Sequence, residues 1–236
     1  MRTAVILCAG RGTRLGSLTA DRPKCLLEIG GQTLLEKAIR QFYNNGVQRF
    51  VLVVGYQWEK IREKITNLSG EFVLVQNQNY RTTNTLVSLW HAKEYMSKGF
   101  WLLNGDVMFD EEILSRFDFG GSKIGVVPGR CEEEEVKVII NNEGVVVQLS
   151  KIASPDKALG EFIGLAYFDE KFSRKLIECL EWWMKRENVN SQYFEAAVEC
   201  AMKEIPLHIA DLSGLSCIEI DTIEDYRRAV QMWEKV

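Results

Sequence analysis

Val5-Ile6-Leu7-Cys8-Ala9-Gly10-Arg11-Gly12-Thr13-Arg14-Leu15 runs from an apolar strand into a glycine turn, and Arg22-Pro23-Lys24 follows shortly after. Without a Cβ at positions 10 and 12, successive backbone N–H groups can approach phosphate oxygens and form an anion-binding concavity. Arg14 and Lys24 supply positive charge. Pro23 fixes its own φ and restricts Arg22 before it, so Lys24 is not carried on a floppy segment. Gly10-x-Gly12-x-x-Leu15 lacks the third glycine of a dinucleotide-binding turn, and no Gly-Lys-Ser/Thr of a P-loop is present. The turn is therefore expected to hold a nucleoside triphosphate, and nicotinamide-dependent redox chemistry is disfavoured.

Working outward, short β-rich runs alternate with helical patterns through the first half, which is α/β patterning. Strands are expected at Thr3 to Leu7, Phe50 to Val54, Phe72 to Val75 and Phe100 to Leu103, their apolar continuity implying burial on both faces as in a parallel sheet. Helices are expected near Thr33 to Tyr43, Gln57 to Ile65 and Thr85 to Met96, the last capped by Thr83 or Asn84. In the second half, Val136 to Ile140 and Val145 to Leu149 flank a glycine-containing turn and predict an antiparallel hairpin. A strand at Gly164 to Phe168, helices at Glu170 to Arg186 and Ser191 to Lys203, a strand ending at Ile220 and a helix opened by a Thr222/Asp225 capping box complete the pattern. The acidic run Glu132 to Glu135 reads as a solvated loop.

Two carboxylates stand at the carboxyl ends of expected strands: Asp106 after Phe100 to Leu103, and Asp221 after Cys217 to Ile220. Ligands of open α/β sheets bind at that edge. Magnesium takes one or two protein carboxylates and completes its shell with water and phosphate. For Asp221 alone, a charge at a helix N-terminus is an equal explanation.

These segments carry a resemblance. Met1 to Leu27 is similar to the signature of nucleotidyltransferases that join a nucleoside triphosphate to a phosphorylated sugar or alcohol with release of pyrophosphate. Asn77-x-x-Tyr80-x-x-x-Asn84-x-x-x-Ser88-Leu89, Leu103-Asn104-Gly105-Asp106 and Ile218-Glu219-Ile220-Asp221-Thr222 resemble, in order and spacing, the phosphocholine cytidylyltransferase-like branch. The resemblance implies a three-layer, mostly parallel mixed sheet of nucleotide-diphospho-sugar transferase type with a small antiparallel insertion. It implies one domain over 1–236, with a nucleotide-binding half (1–110) and an acceptor-binding half (111–236). Asp106 and Asp221 are expected to hold Mg2+. Arg14 is expected on the β- and γ-phosphates, and Lys24 on the α-phosphate and acceptor. Leu7, Ala9, Gly10, Gly12, Thr13, Asn77, Asn84 and Ser88 are expected around the nucleotide, CTP by preference. For Asn84 and Ser88, helix capping and solvent exposure are equal alternatives.

On the acceptor side, Lys151 and Glu161 resemble positions that meet the acceptor's phosphate and polar group. A quaternary ammonium such as that of phosphocholine would want an aromatic face, for which Tyr167, Trp182 and Tyr193 are candidates. Trp183 falls on the apolar face of its helix and Trp182 nearly opposite, so Trp182 needs a partner elsewhere. A sugar-1-phosphate acceptor and a catalytically silent nucleotide-binding subunit remain alternatives.

Composition sets the bounds. At 236 residues the chain can bury a sizeable core. A formal net charge of −4 gives no global attraction to nucleic acid, so any polyanion site is local. Six scattered cysteines without a Cys-x-x-Cys pair, and two histidines, do not predict structural zinc. They read as reduced thiols in a cytoplasmic protein. Neither an export signal nor a membrane-spanning run is expected. Oligomeric state is not encoded in these patterns.

Overall fold

The computed structural model describes residues 1–118 and 120–234. Its strands are β1 (Arg2–Cys8), β2 (Glu28–Ile29), β3 (Gln32–Thr33), β4 (Val47–Val54), β5 (Glu71–Gln76), β6 (Phe100–Asn104) and β7 (Val107–Phe109) in the first half. They continue as β8 (Lys123–Pro128), β9 (Lys137–Ile140), β10 (Val146–Ser150), β11 (Gly160–Phe168), β12 (His208–Asp211) and β13 (Cys217–Glu219). The α-helices are α1 (Leu34–Asn44), α2 (Trp58–Ile65), α3 (Thr85–His91), α4 (Glu170–Trp183), α5 (Glu195–Met202) and α6 (Ile223–Trp233).

A nine-stranded sheet runs in the order β10-β9-β11-β6-β1-β4-β5, with β8 pairing β11 and β12 pairing β8. The β6-β1-β4-β5 portion is parallel. β11 enters antiparallel to β6, β8 and β9, and β9 with β10 forms the expected hairpin. Successive side chains of a strand point to opposite faces, and β1 shows the consequence. Val5 joins the apolar cluster containing α3, α4 and α5, whereas Ala4, Ile6 and Cys8 join the one containing α1 and α2. This is a three-layer arrangement with helices on both faces of a mixed sheet.

Several elements were not anticipated: the short β2-β3 hairpin, β7, β8 and β12. The segment expected to be one helix from Thr85 to Met96 is α3 followed by a separate 3-10 turn at Lys93–Tyr95. Asp221 also follows a different kind of strand from the one expected. β13 lies outside the main sheet and pairs antiparallel with β7, Glu219 opposite Val107. Nor are the cysteines all free. Cys179 on α4 and Cys200 on α5 form a disulfide, Cα–Cα 6.0 Å, while Cys8, Cys25, Cys131 and Cys217 remain thiols. Spacing concealed that pair because the cysteines meet only once α4 and α5 pack together. Among the described residues, no helix is long and apolar enough to cross a membrane.

A third cluster fastens the two ends of the chain. Leu15 and Leu27 from the glycine-turn region pack with Met108, Ile218, Ile220 and Ala229. Tyr226 donates its hydroxyl to the Glu28 carbonyl at 3.0 Å, and Trp233 donates its indole N–H to Asp110 at 2.9 Å. The Thr222 hydroxyl accepts from the Asp225 N–H at 3.2 Å, and the Asp225 carboxylate accepts from the Thr222 N–H at 2.8 Å, completing the anticipated box. Thr222→Ala should therefore cost about 1 kcal/mol of stability in urea-unfolding experiments, the usual loss for an N-cap. A change below about 0.3 kcal/mol would show that α6 is held by packing alone.

Candidate active site

The carboxyl ends of β1 and β6 open into a cavity of about 740 Å³. Gly105 makes the approach possible. Its N–H donates to the Leu7 carbonyl at 3.0 Å, and a Cβ there would lie 2.7 Å from that same oxygen. Asp106 follows at once. On the other arm of the β7-β13 ribbon, the Ile220 N–H donates to the Asp106 carbonyl at 3.0 Å, which brings Asp221 beside it.

Lys24 joins these two carboxylates. Its ammonium is 2.6 Å from Asp106 Oδ2 and also donates to Asp221 Oδ1. Gly12 clears its path. With φ of 71°, Gly12 is in the left-handed region, and a Cβ there would come within 3.0 Å of the Lys24 Cβ. The second glycine of the motif thus accommodates a lysine stem, whereas Gly10 faces open space in the cavity wall. Arg14 Nη2 pairs with Asp221 Oδ2 at 2.6 Å.

Burial alone would lower the Lys24 pKa, but Asp106 and Asp221 outweigh it and hold the ammonium above its ordinary value. Burial likewise pushes Asp221 upward, and Lys24 with Arg14 reverses that and keeps it ionised to lower pH.

Glu219, which the sequence reading passed over, completes the cluster. Asp106, Glu219 and Asp221 offer carboxylate oxygens that all lie within 4.8 Å of one another. Burial, then Asp106 and Asp221, raise the Glu219 pKa well above the usual carboxylate range. A signal existed: Glu219 and Asp221 are two apart, and period-2 side chains share a face.

The donor set suits a hard divalent cation. The buried Asp106 Oδ1 has no hydrogen-bond partner among the described residues, as expected of a ligand oxygen.

Of the other nucleotide candidates, Leu7, Ala9, Gly10 and Ser88 line the cavity, and Gly12 and Thr13 lie beside it in the chain. Asn77 does not face it. It is fully buried, donates to Thr83 Oγ1 at 3.0 Å and Ser88 Oγ at 3.1 Å, and accepts from the Asn79 N–H. Its amide positions Ser88, which does line the cavity. Asn84 caps α3, its side chain accepting from the Thr85 N–H at 2.8 Å.

On the acceptor side, Lys151, Glu161 and Tyr193 line the cavity, but Tyr167 and Trp182 do not. Tyr167 packs against Trp101, ring centroids 5.2 Å apart. Trp182 is on the outer face of α4 beneath the Arg186 guanidinium, 3.9 Å from the ring centroid, and that is the partner its helical position required. Both aromatics were read from composition, which carries no information on the face a ring takes.

The acidic run is the exposed loop expected for Glu132 to Glu134, and it also borders the cavity. Glu132, Glu134 and Glu135 line the cavity together with Glu161 and Glu195. Lys137 holds that loop in place. Almost fully buried, it donates to the carbonyls of Glu133 (2.8 Å), Glu135 (3.1 Å) and Lys151 (2.8 Å).

Residues 4–118 match the MobA-like NTP transferase domain. That match covers just under half of the chain, and over it the chain is similar to nucleotidyltransferases. It is 26% identical over 95% of its length to the choline-phosphate cytidylyltransferase of Streptococcus pneumoniae, covering 95% of that protein. It is 29% identical over 96% of its length to the CMP-5'-(3-aminopropyl)phosphonate synthase of Streptomyces rubellomurinus, of which it spans 38%. The solved CTP:phosphocholine cytidylyltransferase of Streptococcus pneumoniae superposes with a TM-score of 0.82 at 24% identity, over 98% of this chain and 99% of that one. The architecture is the nucleotide-diphospho-sugar transferase fold expected from the sequence.

Removing the Lys137 ammonium would strand three carbonyls. Lys137→Met should cost about 2–3 kcal/mol in urea unfolding, the scale for hydrogen bonds to a charged group. It should also raise the acceptor KM more than the nucleotide KM. An unchanged acceptor KM would disconnect Lys137 from the site.

Proposed function

We propose that this nucleotidyltransferase moves CMP from CTP to a small phosphorylated or phosphonylated alcohol bearing a positive charge, phosphocholine being one example, in a Mg2+-dependent reaction releasing pyrophosphate. The observation that carries the reading is the charge of the cavity. Lys24, Arg14 and the Asp106/Glu219/Asp221 cluster suit a triphosphate with its metal, while Glu132, Glu134, Glu135, Glu161 and Glu195 line the same space. Such a wall repels a bare polyanion and favours an acceptor whose far end is cationic. The names of the two relatives, both with amino-alcohol or amino-alkyl products, support the same class and the choice of cytidine.

In this reading a phosphate or phosphonate oxygen of the acceptor attacks the α-phosphorus, and the α–β bridging bond breaks as pyrophosphate leaves with its electron pair. Catalysis in such transfers rests on positioning and on stabilising charge over the non-bridging oxygens. Lys24 exchanges its carboxylate contacts for the α-phosphate, and Arg14 draws in the β- and γ-phosphates beside the Gly10 turn. Asp106 and Asp221, with Glu219, would hold a magnesium ion, which would neutralise triphosphate charge. Residues 1–110 serve mainly the nucleotide, and 111–236 supply the acceptor side and the second metal carboxylate. The joint presence of Arg14, Lys24, Asp106 and Asp221 at one cavity argues against a silent binding subunit.

Pyrophosphate release measured over four nucleoside triphosphates against amino-alcohol phosphates, inositol phosphate and hexose-1-phosphates tests the reading. We expect turnover with CTP and a cationic acceptor. Exclusive use of a hexose-1-phosphate would overturn the acceptor class and leave the nucleotidyl transfer intact. Asp106→Asn should abolish most turnover while leaving the protein folded, and near-wild-type rates at saturating magnesium would remove Asp106 from the metal site.

A pH profile gives a separate check. Burial, then Glu135, push Glu161 up to about 7, and burial does the same to Glu195. Below that pH both are neutral, and above it both attract a cation. The acceptor KM should therefore fall as pH rises through about 7, more shallowly in Glu161→Gln. A KM independent of pH in both proteins would contradict a cationic acceptor held by these carboxylates.

A further inference from the structure

Glu195 is the most unusual polar group in the cavity wall. It is the first residue of α5, only 8% exposed, and its Oε2 has no hydrogen-bond partner among the described residues. Among the described residues no ion pair within 4 Å compensates it, and the Lys151 ammonium acts on it only from further away. Glu199, one turn later, by contrast accepts from the Leu149 N–H at 3.0 Å. A buried carboxylate oxygen without a partner costs stability, and the cost is recovered only when a donor or cation reaches it. The backbone that carries it is anchored. Phe194 before it is fully buried and donates its N–H to Thr85 Oγ1 at 3.0 Å, which ties the segment to α3.

The aromatic complement is correspondingly poor. Among the described residues the rings lining the cavity are Phe162, Phe194 and Tyr193; the phenylalanines are buried (2% and 0% exposed) and Tyr193 is 44% exposed. The Tyr193 ring is itself covered by the Lys151 ammonium, 4.9 Å from its centroid. One ring already occupied by a lysine is not a cage for a trimethylated nitrogen, which recognises aromatic faces and has no N–H to donate. An orphaned carboxylate oxygen wants a hydrogen-bond donor.

We infer that the acceptor carries a primary ammonium, and that Glu195 selects it by accepting a charge-assisted hydrogen bond from that group. The inference rests on the cationic-acceptor reading above and narrows it from amino-alcohol derivatives in general to those with an unsubstituted amine, as in phosphoethanolamine or a short aminoalkylphosphonate. A neutral polyol gains little from Glu195, and a quaternary ammonium gains only its long-range attraction.

Steady-state pyrophosphate release with CTP and phosphoethanolamine, 2-aminoethylphosphonate, phosphocholine or inositol 1-phosphate tests it in wild type, Glu195→Gln and Glu195→Asp. Wild type should show a kcat/KM at least about 10-fold higher for one of the primary amines than for phosphocholine, as one charge-assisted hydrogen bond allows. Glu195→Gln should raise the KM for that amine by about 10- to 100-fold, change the phosphocholine KM by less than about 3-fold, and leave the CTP KM unchanged. Glu195→Asp should keep the preference in weakened form, because its charge survives at a shorter reach. Thermal melting should place Glu195→Gln at or above wild type, since the buried charge is gone. Preference for phosphocholine in wild type, or equal losses on both amines in Glu195→Gln, overturns the inference and leaves the cationic reading standing. Should Glu195→Gln fail to fold, the wild-type ratio and Glu195→Asp still decide. Turnover of inositol 1-phosphate alone overturns both readings together.

Discussion

The ammonium of Lys24, held between Asp106 and Asp221, is the contact on which the rest of the site depends. It joins parts of the chain up to 197 residues apart, and each needs its own local device to arrive. Gly12 must be in the left-handed region to let the lysine stem pass, Gly105 must approach the β1 backbone, and the β7-β13 ribbon must carry the last carboxylate back. A buried cation between two carboxylates gains little net stability, because desolvation offsets the attraction. Its value is in being exchangeable. Phosphate oxygens can replace carboxylate oxygens on the same ammonium at small net cost, which suits the role proposed for Lys24 at a transferring phosphoryl centre.

The surrounding charge then sets what can enter. An overall negative chain with a carboxylate-rich cavity is an unlikely host for a triphosphate unless positive charge is concentrated where the phosphates lie. Lys24 and Arg14 provide that concentration beside the open Gly10 turn. The remaining carboxylates are left to interact with something else. Glu161 and Glu195 are both displaced upward in pKa by burial, a state that a folded protein maintains only at the expense of stability. A cationic acceptor gives that expense a purpose, and an uncharged one does not.

Much of this was legible in the sequence where a residue's role follows from its local backbone. The strand-to-glycine turn, Lys24 behind Pro23, Asp106 and Asp221 at strand ends, the β9-β10 hairpin and the Thr222/Asp225 box all depend on neighbours close in the chain. What escaped depends on packing between distant segments. Lys137 looks like an ordinary alternating strand residue until three carbonyls from two loops converge on it. The Glu132–Glu135 run is the exposed loop its composition predicts, but its anchoring by Lys137 beside the cavity was not visible in that composition. Tyr167 and Trp182 erred in the other direction, since aromatic content says nothing about which layer a ring joins. Cys179 and Cys200 met for the same non-local reason.

One hydrogen-bonded strip connects the two halves of recognition. Asn77, at the end of β5, receives nothing from solvent. Its N–H donates to the Val54 carbonyl at 2.8 Å and its amide fixes Ser88 on α3. At the start of α3 the Leu86 N–H donates to the Gln192 carbonyl at 3.3 Å, and Thr85 accepts from Phe194. Ser88, Tyr193 and Glu195 are thus carried on segments tied to one another before any ligand is considered, although they face different parts of the cavity. Because side chains locked by packing and hydrogen bonds hold a site more accurately than free loops do, a shift at the Ser88 end would be transmitted to Glu195 through α3. In this architecture the residues proposed to face the nucleotide and those proposed to face the acceptor are joined through α3 and are not separately adjustable.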